Sequence, residues 1–219
     1  KNRSERIIGD YIAARGNRDR IILATKGGHP NLSSMHIPRL GRQEVTDDLN
    51  GSLHTLQVDY IDLYYLHRDD PSIPVEEIIE MLEKFRLQGM IRYYACSNWT
   101  TERLSAAQAY AESKGYLGFV ANEPLWNIGC YNMKKVQDPT IVTFNKNMYD
   151  FHRDTGMAVI PFSSQANGFF AKVGAEDGNQ QKKAKQSLYY TDKNISLYHE
   201  ISCIANDYGM TITEVVLNY

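Results

Sequence analysis

Apolar positions along this chain switch repeatedly between a period near two and a period near four, and the switching sets the order of its elements. Ile7, Ile8, Tyr11 and Ile12 recur at helical spacing after Ser4, a residue suited to cap a helix, and Gly16-Asn17 supplies a stop. The run Ile21 to Lys26 has strand length and meets Gly27-Gly28, where the backbone is free to turn. His29 to Leu40, with its prolines and small polar residues, predicts a loop, and Val45, Leu49, Leu53 and Leu56 predict the stripe of a second helix.

The stretch Ile61 to Pro71 is the pivot of the pattern. As a strand it places Ile61, Leu63, Tyr65 and His67 on one face and Asp62, Tyr64 and Leu66 on the other. Arg68, Asp69, Asp70 and Pro71 end it, because charged groups need solvent and proline cannot donate to a ladder. Pro74 then opens a helix with Glu76 and Glu77 at the positive end of its dipole and Ile78, Leu82 and Phe85 facing inward before Gly89. Ile91 to Cys96 predicts a third strand with Ser97-Asn98-Trp99 at its exit, followed by a helix capped by Thr100 or Thr101 and carrying Leu104, Ala107 and Ala111.

Phe119-Val120-Ala121 leads a fourth strand into Asn122-Glu123-Pro124-Leu125-Trp126-Asn127. A helix with Phe144, Met148 and Phe151 stops near Gly156, and Met157 to Phe162 is the fifth strand, with Ser163-Ser164-Gln165 at its exit. The segment Lys172 to Lys193, rich in Gly, Gln and Lys, predicts a mobile loop. Leu197, Ile201, Ile204 and Tyr208 predict a further helix stopped by Gly209, and Thr213 starts another. The chain opens at Lys1 in a helical pattern and closes at Tyr219 inside one, so it reads as an excerpt of a longer protein.

Strand and helix alternate without a hairpin signal, which predicts parallel strands joined by right-handed crossovers. A doubly wound sheet would carry a glycine-rich phosphate turn after an early strand, and none is written here. Polar residues stand at every predicted strand exit, which is where a barrel places its chemistry. The expected fold is therefore α/β, of the (β/α)8 TIM-barrel type, with five strands in this chain where closure needs about eight.

Composition narrows the partners. With 42% hydrophobic and 23% charged residues and a formal net charge of −2, the chain has a soluble globular composition and no electrostatic reason to bind nucleic acid or an anionic membrane. No apolar run approaches the roughly 20 residues that span a bilayer. Three cysteines, odd in number and without metal-ligand spacing, fit a reducing compartment, and cytoplasm is the expected location.

Candidate chemistry lies at the strand exits. Lys26 is either a solvated lysine at a strand end or a partly desolvated cation at a barrel mouth. His67 is either a satisfied structural histidine or a functional one. Ser97 and Asn98 suit a helix cap, and Asn98 also offers an amide donor and acceptor to a flat polar ligand. Trp126 and Phe162 are core residues or stacking platforms. A metal-dependent barrel hydrolase using His67, Asp69, Asp70 and Glu123 is a competing reading, set against it that only one histidine ends a strand.

Ala24-Thr25-Lys26, the run Asp59 to His67, Gly89-Met90-Ile91-Arg92 with Cys96-Ser97-Asn98-Trp99, and Pro161-Phe162-Ser163-Ser164 with Gly168 resemble, in that order, the motifs of the aldo-keto reductases. The resemblance covers nearly the whole chain. It implies one barrel domain over residues 1–219 that lacks its first two strands and its last strand and helix. It also implies a reductase that passes hydride from NADPH (NADP in its oxidised form) to a small-molecule carbonyl, without a metal. In the family a tyrosine donates the proton, a lysine and its aspartate tune that tyrosine, and a histidine orients the carbonyl.

Lys26 and His67 match the catalytic lysine and histidine motifs. Ser97, Asn98 and Glu123 match residues that contact the nicotinamide carboxamide, Phe162 the aromatic that stacks on it, and Ser163, Ser164 and Gln165 further cofactor contacts. Glu123 stands where the family usually has Gln, and Phe162 where Tyr is common. The family's aspartate and tyrosine fall before Lys1 in register, and none of the fifteen tyrosines here takes the donor role by motif. The excerpt alone is expected to be inactive, with open sheet edges that invite oligomer formation. The alternative on the same scaffold is a nucleotide-binding or channel-associated subunit without turnover.

Overall fold

Five parallel strands form one sheet in chain order: β1 (Ala24–Gly27), β2 (Ile61–Leu66), β3 (Ile91–Ser97), β4 (Ala121–Glu123) and β5 (Ala158–Val159). In this computed structural model residues 2–132 and 138–219 are described. Helices α1 (Arg3–Arg15), α2 (Arg42–Leu56), α3 (Val75–Leu87), α4 (Thr101–Lys114) and α5 (Lys146–Thr155) precede or connect the strands. The parallel, sequential strand order with a helix in each crossover is the one the alternating periods predict. The chain gathers into two compact units, Lys1–Pro124 with Thr140–Ile160, which holds the sheet, and Leu125–Pro139 with Pro161–Tyr219.

From Leu63 on, the two faces of β2 are chemically distinct, as its alternation requires, whereas Ile61, predicted to share the Leu63–Tyr65 face, packs in the main core. Tyr64 and Leu66 join Tyr94, Cys96 and the inner residues of α2, α3 and α4 in the main core, where Val45, Leu49, Ile79, Leu82 and Leu104 are fully buried. Tyr65 packs instead on Ala95 and Ala121, with Leu63 and Val120 beside them. Register puts Lys26 beside Tyr65 and Tyr65 beside Ala95.

Polar anchors hold the entry to the sheet. Asp62 accepts from the Leu23 N–H at 2.9 Å, from Arg18 at 2.7 Å and from Arg92 at 3.1 Å, and both guanidinium groups lie over the Tyr60 ring, at 4.0 and 4.2 Å from its centre. This arrangement explains why β1 begins later than its apolar run. Leu23 gives its N–H to a side chain, Ile22 is 86% exposed, and the ladder starts at Ala24 rather than Ile21.

Other boundaries move for local reasons. Ser4 lies inside α1, whose N-cap is Asn2 in the left-handed region, while Thr100 rather than Thr101 caps α4. Phe144 precedes α5, which Asn145 caps by accepting from the Met148 N–H. β5 is only two residues long, because Pro161 has no N–H to continue the ladder, and Leu125 and Phe162 form an isolated bridge in the second unit.

The segment 172–193 is not the loop its composition predicts. It contains α7 (Gly178–Gln186), started by Asp177, whose carboxylate accepts from the Asn179 N–H. Lys, Gln and Ala are good helix formers, and this helix buries only Ala184, so it carries no hydrophobic stripe to read. α6 (Phe169–Val173), α8 (Asp192–Tyr208) and α9 (Ile212–Leu217) complete the second unit around Phe169, Phe170, Tyr189 and Ile201. In α8 the inward face is Asn194, Ile201 and Ala205, while Ile204 and Tyr208 of the predicted stripe are 45% and 77% exposed. α9 starts at Ile212 with Thr211 as cap, rather than at Thr213.

Candidate functional site

The site grows from the exit of β1. Gly27 is required there, because a Cβ at that position would lie 1.8 Å from the Tyr64 hydroxyl. Gly28 follows with φ +72°, a left-handed conformation that glycine adopts without strain. Immediately before this pair, Lys26 sends its ammonium to 5.2 Å from the centre of the Tyr65 ring and donates to Glu123 Oε1 at 2.6 Å. Lys26 is on β1 and Glu123 on β4, which a flat sheet would separate by roughly 14 Å at about 4.8 Å per strand. The ion pair therefore records a sheet curled toward its own exit rim, as a barrel arc is.

His67 stands at the exit of the neighbouring strand. Its N–H donates to Gly27 O at 2.9 Å and its carbonyl accepts from Arg68 at 2.8 Å and from Asn98 Nδ2 at 3.3 Å. The imidazole is pushed down to about 3, chiefly by burial and then by the charges of His29, Arg68 and Lys26. It is thus neutral across the physiological range, with one N–H to donate and one lone pair to accept. Tyr65, on the same face, is pushed up to about 12 by burial and the Glu123 carboxylate, and stays protonated.

The exit of β3 ties these groups together. Ser97 Oγ donates to Glu123 O at 2.8 Å, and Asn98 Nδ2 donates to Ser97 Oγ at 2.9 Å as well as to His67 O. Asn98 Oδ1 accepts the Val142 N–H at 3.1 Å, and Asn98 adopts φ +61°, which asparagine tolerates better than most residues. Lys26, His67, Ser97, Asn98 and Glu123 accordingly belong to one connected rim. Trp99 beside them is core, fully buried against Phe119 and donating to Arg68 O.

The remaining predicted residues lie in the second unit. Phe162 is half-buried at its bridge to Leu125, and Ser163, with φ +55°, gives its carbonyl to Asn127 Nδ2 at 3.0 Å. Ser164 is exposed and lines a hollow of about 100 Å³ with Trp126, Asn127 and Pro161. Gln165 accepts at its backbone from the Gly168 N–H. Trp126 meets Tyr219, ring centres 6.1 Å apart.

Two carboxylates of the hydrolase reading are committed elsewhere. Asp69 takes both bonds of the Arg103 fork at 2.9 Å, and Asp70 accepts from the Ser72 N–H and hydroxyl. Among the described residues no three His, Cys, Asp or Glu side chains are grouped to hold a metal ion, and no helix is long and apolar enough to cross a membrane. Sequence reading missed His29, whose ring meets that of His67, and the amide of Val142. A histidine directly after a two-glycine turn was a readable signal, whereas Val142 acts through its backbone and leaves none.

Comparison with known proteins adds the following. The profile described as Aldo/keto reductase family matches residues 1–219. The chain is 26% identical over 225 residues to a norsolorinic acid reductase B of Aspergillus parasiticus, covering 99% of this chain and 56% of that protein. A protein of the same name in Dothistroma septosporum is 29% identical over 227 residues, covering 99% and 54%. The aldo-keto reductase YhdN of Bacillus subtilis is 36% identical over 108 residues, 49% of this chain and 33% of that one. The chain thus spans about half the length of the first two of these relatives.

Proposed function

We propose that this chain, which belongs to the aldo/keto reductase family of (β/α)8-barrel oxidoreductases, carries the lysine and histidine side of an NADPH-dependent site that reduces an aldehyde or ketone. The observation that carries this reading is that Lys26 and His67 stand at the exits of adjacent strands, near enough for the lysine's charge to act on the imidazole, with the Lys26 ammonium bonded to Glu123 at 2.6 Å. Bound NADPH would supply the hydride to the carbonyl carbon, and the proton that turns the resulting alkoxide into the alcohol would come from the tyrosine donor that the family uses, not from His67. The neutral His67 donates its ring N–H to the carbonyl oxygen, and Lys26 holds a positive charge where negative charge develops on that oxygen.

The rim's side-chain donors are already bonded within the chain, Asn98 Nδ2 to Ser97 and His67 O and Ser97 Oγ to Glu123 O, so what it offers the N–H groups of a carboxamide are acceptors. Asn98 Oδ1 already accepts an amide N–H, that of Val142, and a carboxamide offers the same group. Ser97 Oγ has a lone pair beyond its bond from Asn98. Glu123, spent on Lys26, acts here as the lysine's partner. In the second unit, Phe162, Ser163, Ser164 and Gln165 are proposed cofactor contacts.

The test is to follow nicotinamide absorbance while the full-length protein meets NADPH and a panel of aldehydes and ketones, with the alcohol product identified. Consumption of NADPH matched by alcohol formation supports the reading. Tight NADPH binding with no turnover on any carbonyl would favour the binding-subunit alternative instead.

A further inference from the structure

We propose that His29, delivered by the Gly27-Gly28 turn, is a positioning residue that fixes the orientation of the His67 imidazole. This rests on the reading of His67 as the group that orients the carbonyl. The two rings stand nearly perpendicular, at 82°, with centres 4.4 Å apart. Among the described residues no side chain or backbone group hydrogen-bonds the His67 ring nitrogens, so packing, and not a hydrogen bond, sets its side-chain angles. A histidine that must present one N–H to a substrate oxygen needs its orientation held by a neighbour, as metal-bound and triad histidines are held by theirs.

His29 is itself held on several sides. Its Nδ1 lies 2.5 Å from Pro30 O; a carbonyl only accepts, so Nδ1 is the donor in that bond. Arg39 donates to His29 O at 2.8 Å and is bound in turn by Asp48, at 3.4 and 3.3 Å. Asp48 also accepts the Gly28 N–H at 2.9 Å. The turn is tight: a Cβ on Gly28 would come within 2.5 Å of Leu40. The backbone from Gly27 to Pro30 is therefore clamped by α2 and by Arg39, so His29 meets the His67 ring from a held position. The other charged groups facing that ring are Lys26 and Arg68.

The experiment uses the full-length protein and the variants His29→Ala and His29→Phe. Side-chain ¹⁵N spectra of His67 report its ring order directly, without any turnover. The expectation is one sharp tautomer in the parent, exchange broadening in His29→Ala and recovery of the sharp signal in His29→Phe, which restores a ring edge without a titratable group. In steady state, His29→Ala should lower kcat on the order of 10- to 100-fold while KM changes far less, the pattern of a misplaced reacting group. His29→Phe should recover most of that loss. An unchanged His67 signal in His29→Ala, or equal kcat in all three proteins, overturns the proposal. If the parent reduces no carbonyl, the reductase reading fails on its own, and the ring spectra still decide the role of His29.

Discussion

Replacing Glu123 tests the contact that closes the rim. The pair it forms with Lys26 spans four strands, and its side chains are 12% and 28% exposed. A buried charge-assisted hydrogen bond contributes about 1.5–3 kcal/mol, and an exposed ion pair about 0.2–1 kcal/mol. With both side chains partly open to solvent, the Glu123→Leu variant should lose about 1–2 kcal/mol. Glu123→Gln keeps a neutral acceptor for the ammonium and should lose about half as much, near 0.5–1 kcal/mol.

In a chain of this size those losses correspond to a fall of about 2–4 °C in Tm per kcal/mol. The assay is urea unfolding of both variants, of Lys26→Met, and of the double variant Lys26→Met/Glu123→Leu. The coupling energy from that cycle should be about 1 kcal/mol in favour of the pair. Additivity within about 0.3 kcal/mol would mean that the two groups do not interact in solution, and the curled-rim argument would lose its main support.

Three further outcomes follow from buried groups. His67 titrates near 6.5 in an unfolded chain and near 3 in the folded one. As the pH falls through that window only the unfolded chain takes up the proton, so stability should drop by about 1.4 kcal/mol per pH unit. His67→Gln should remove that component; an unaltered slope between about pH 6 and pH 4 would contradict the burial argument.

Burial raises the Asp62 carboxyl, but the Leu23 N–H, Arg18 and Arg92 together outweigh it and hold it below the usual carboxylate range. Its stabilisation is present above about pH 3.9 and is lost as pH falls below that value; Asp62→Ala should cost about 2–4 kcal/mol at neutral pH in a urea titration, and a loss under about 0.5 kcal/mol would refute the anchoring role. Among the described residues the buried Tyr64 hydroxyl has no hydrogen-bond partner, so Tyr64→Phe should leave stability unchanged or raise it by up to about 1 kcal/mol, whereas a loss above that would reveal a partner in solution.

The sequence exposes the rim more fully than the periphery, for physical reasons visible residue by residue. β2 is legible because strict alternation of Leu63 and Tyr65 against Tyr64 and Leu66 is what a strand packed differently on its two faces demands. Lys26 and His67 were readable because each interrupts an apolar run at its end. The Lys26–Glu123 pair was not, since a contact between residues 97 positions apart depends on sheet curvature that no local pattern encodes. α7 escaped notice because it buries a single alanine, and β5 was overestimated because Met157 to Phe162 looks like a strand until Pro161 is weighed for its missing N–H. The contact of Val142 with Asn98 is made by backbone, which every residue carries alike.

Lys26 and His67 are proposed to act on one carbonyl. Turnover of a reactive aldehyde by the full-length protein, its Lys26→Met variant and its His67→Leu variant tests this directly, with NADPH affinity measured alongside. Each substitution should lower kcat by about 10²- to 10⁴-fold while NADPH affinity changes only a few-fold. Aldehyde reduction at the parent rate in either variant would contradict it.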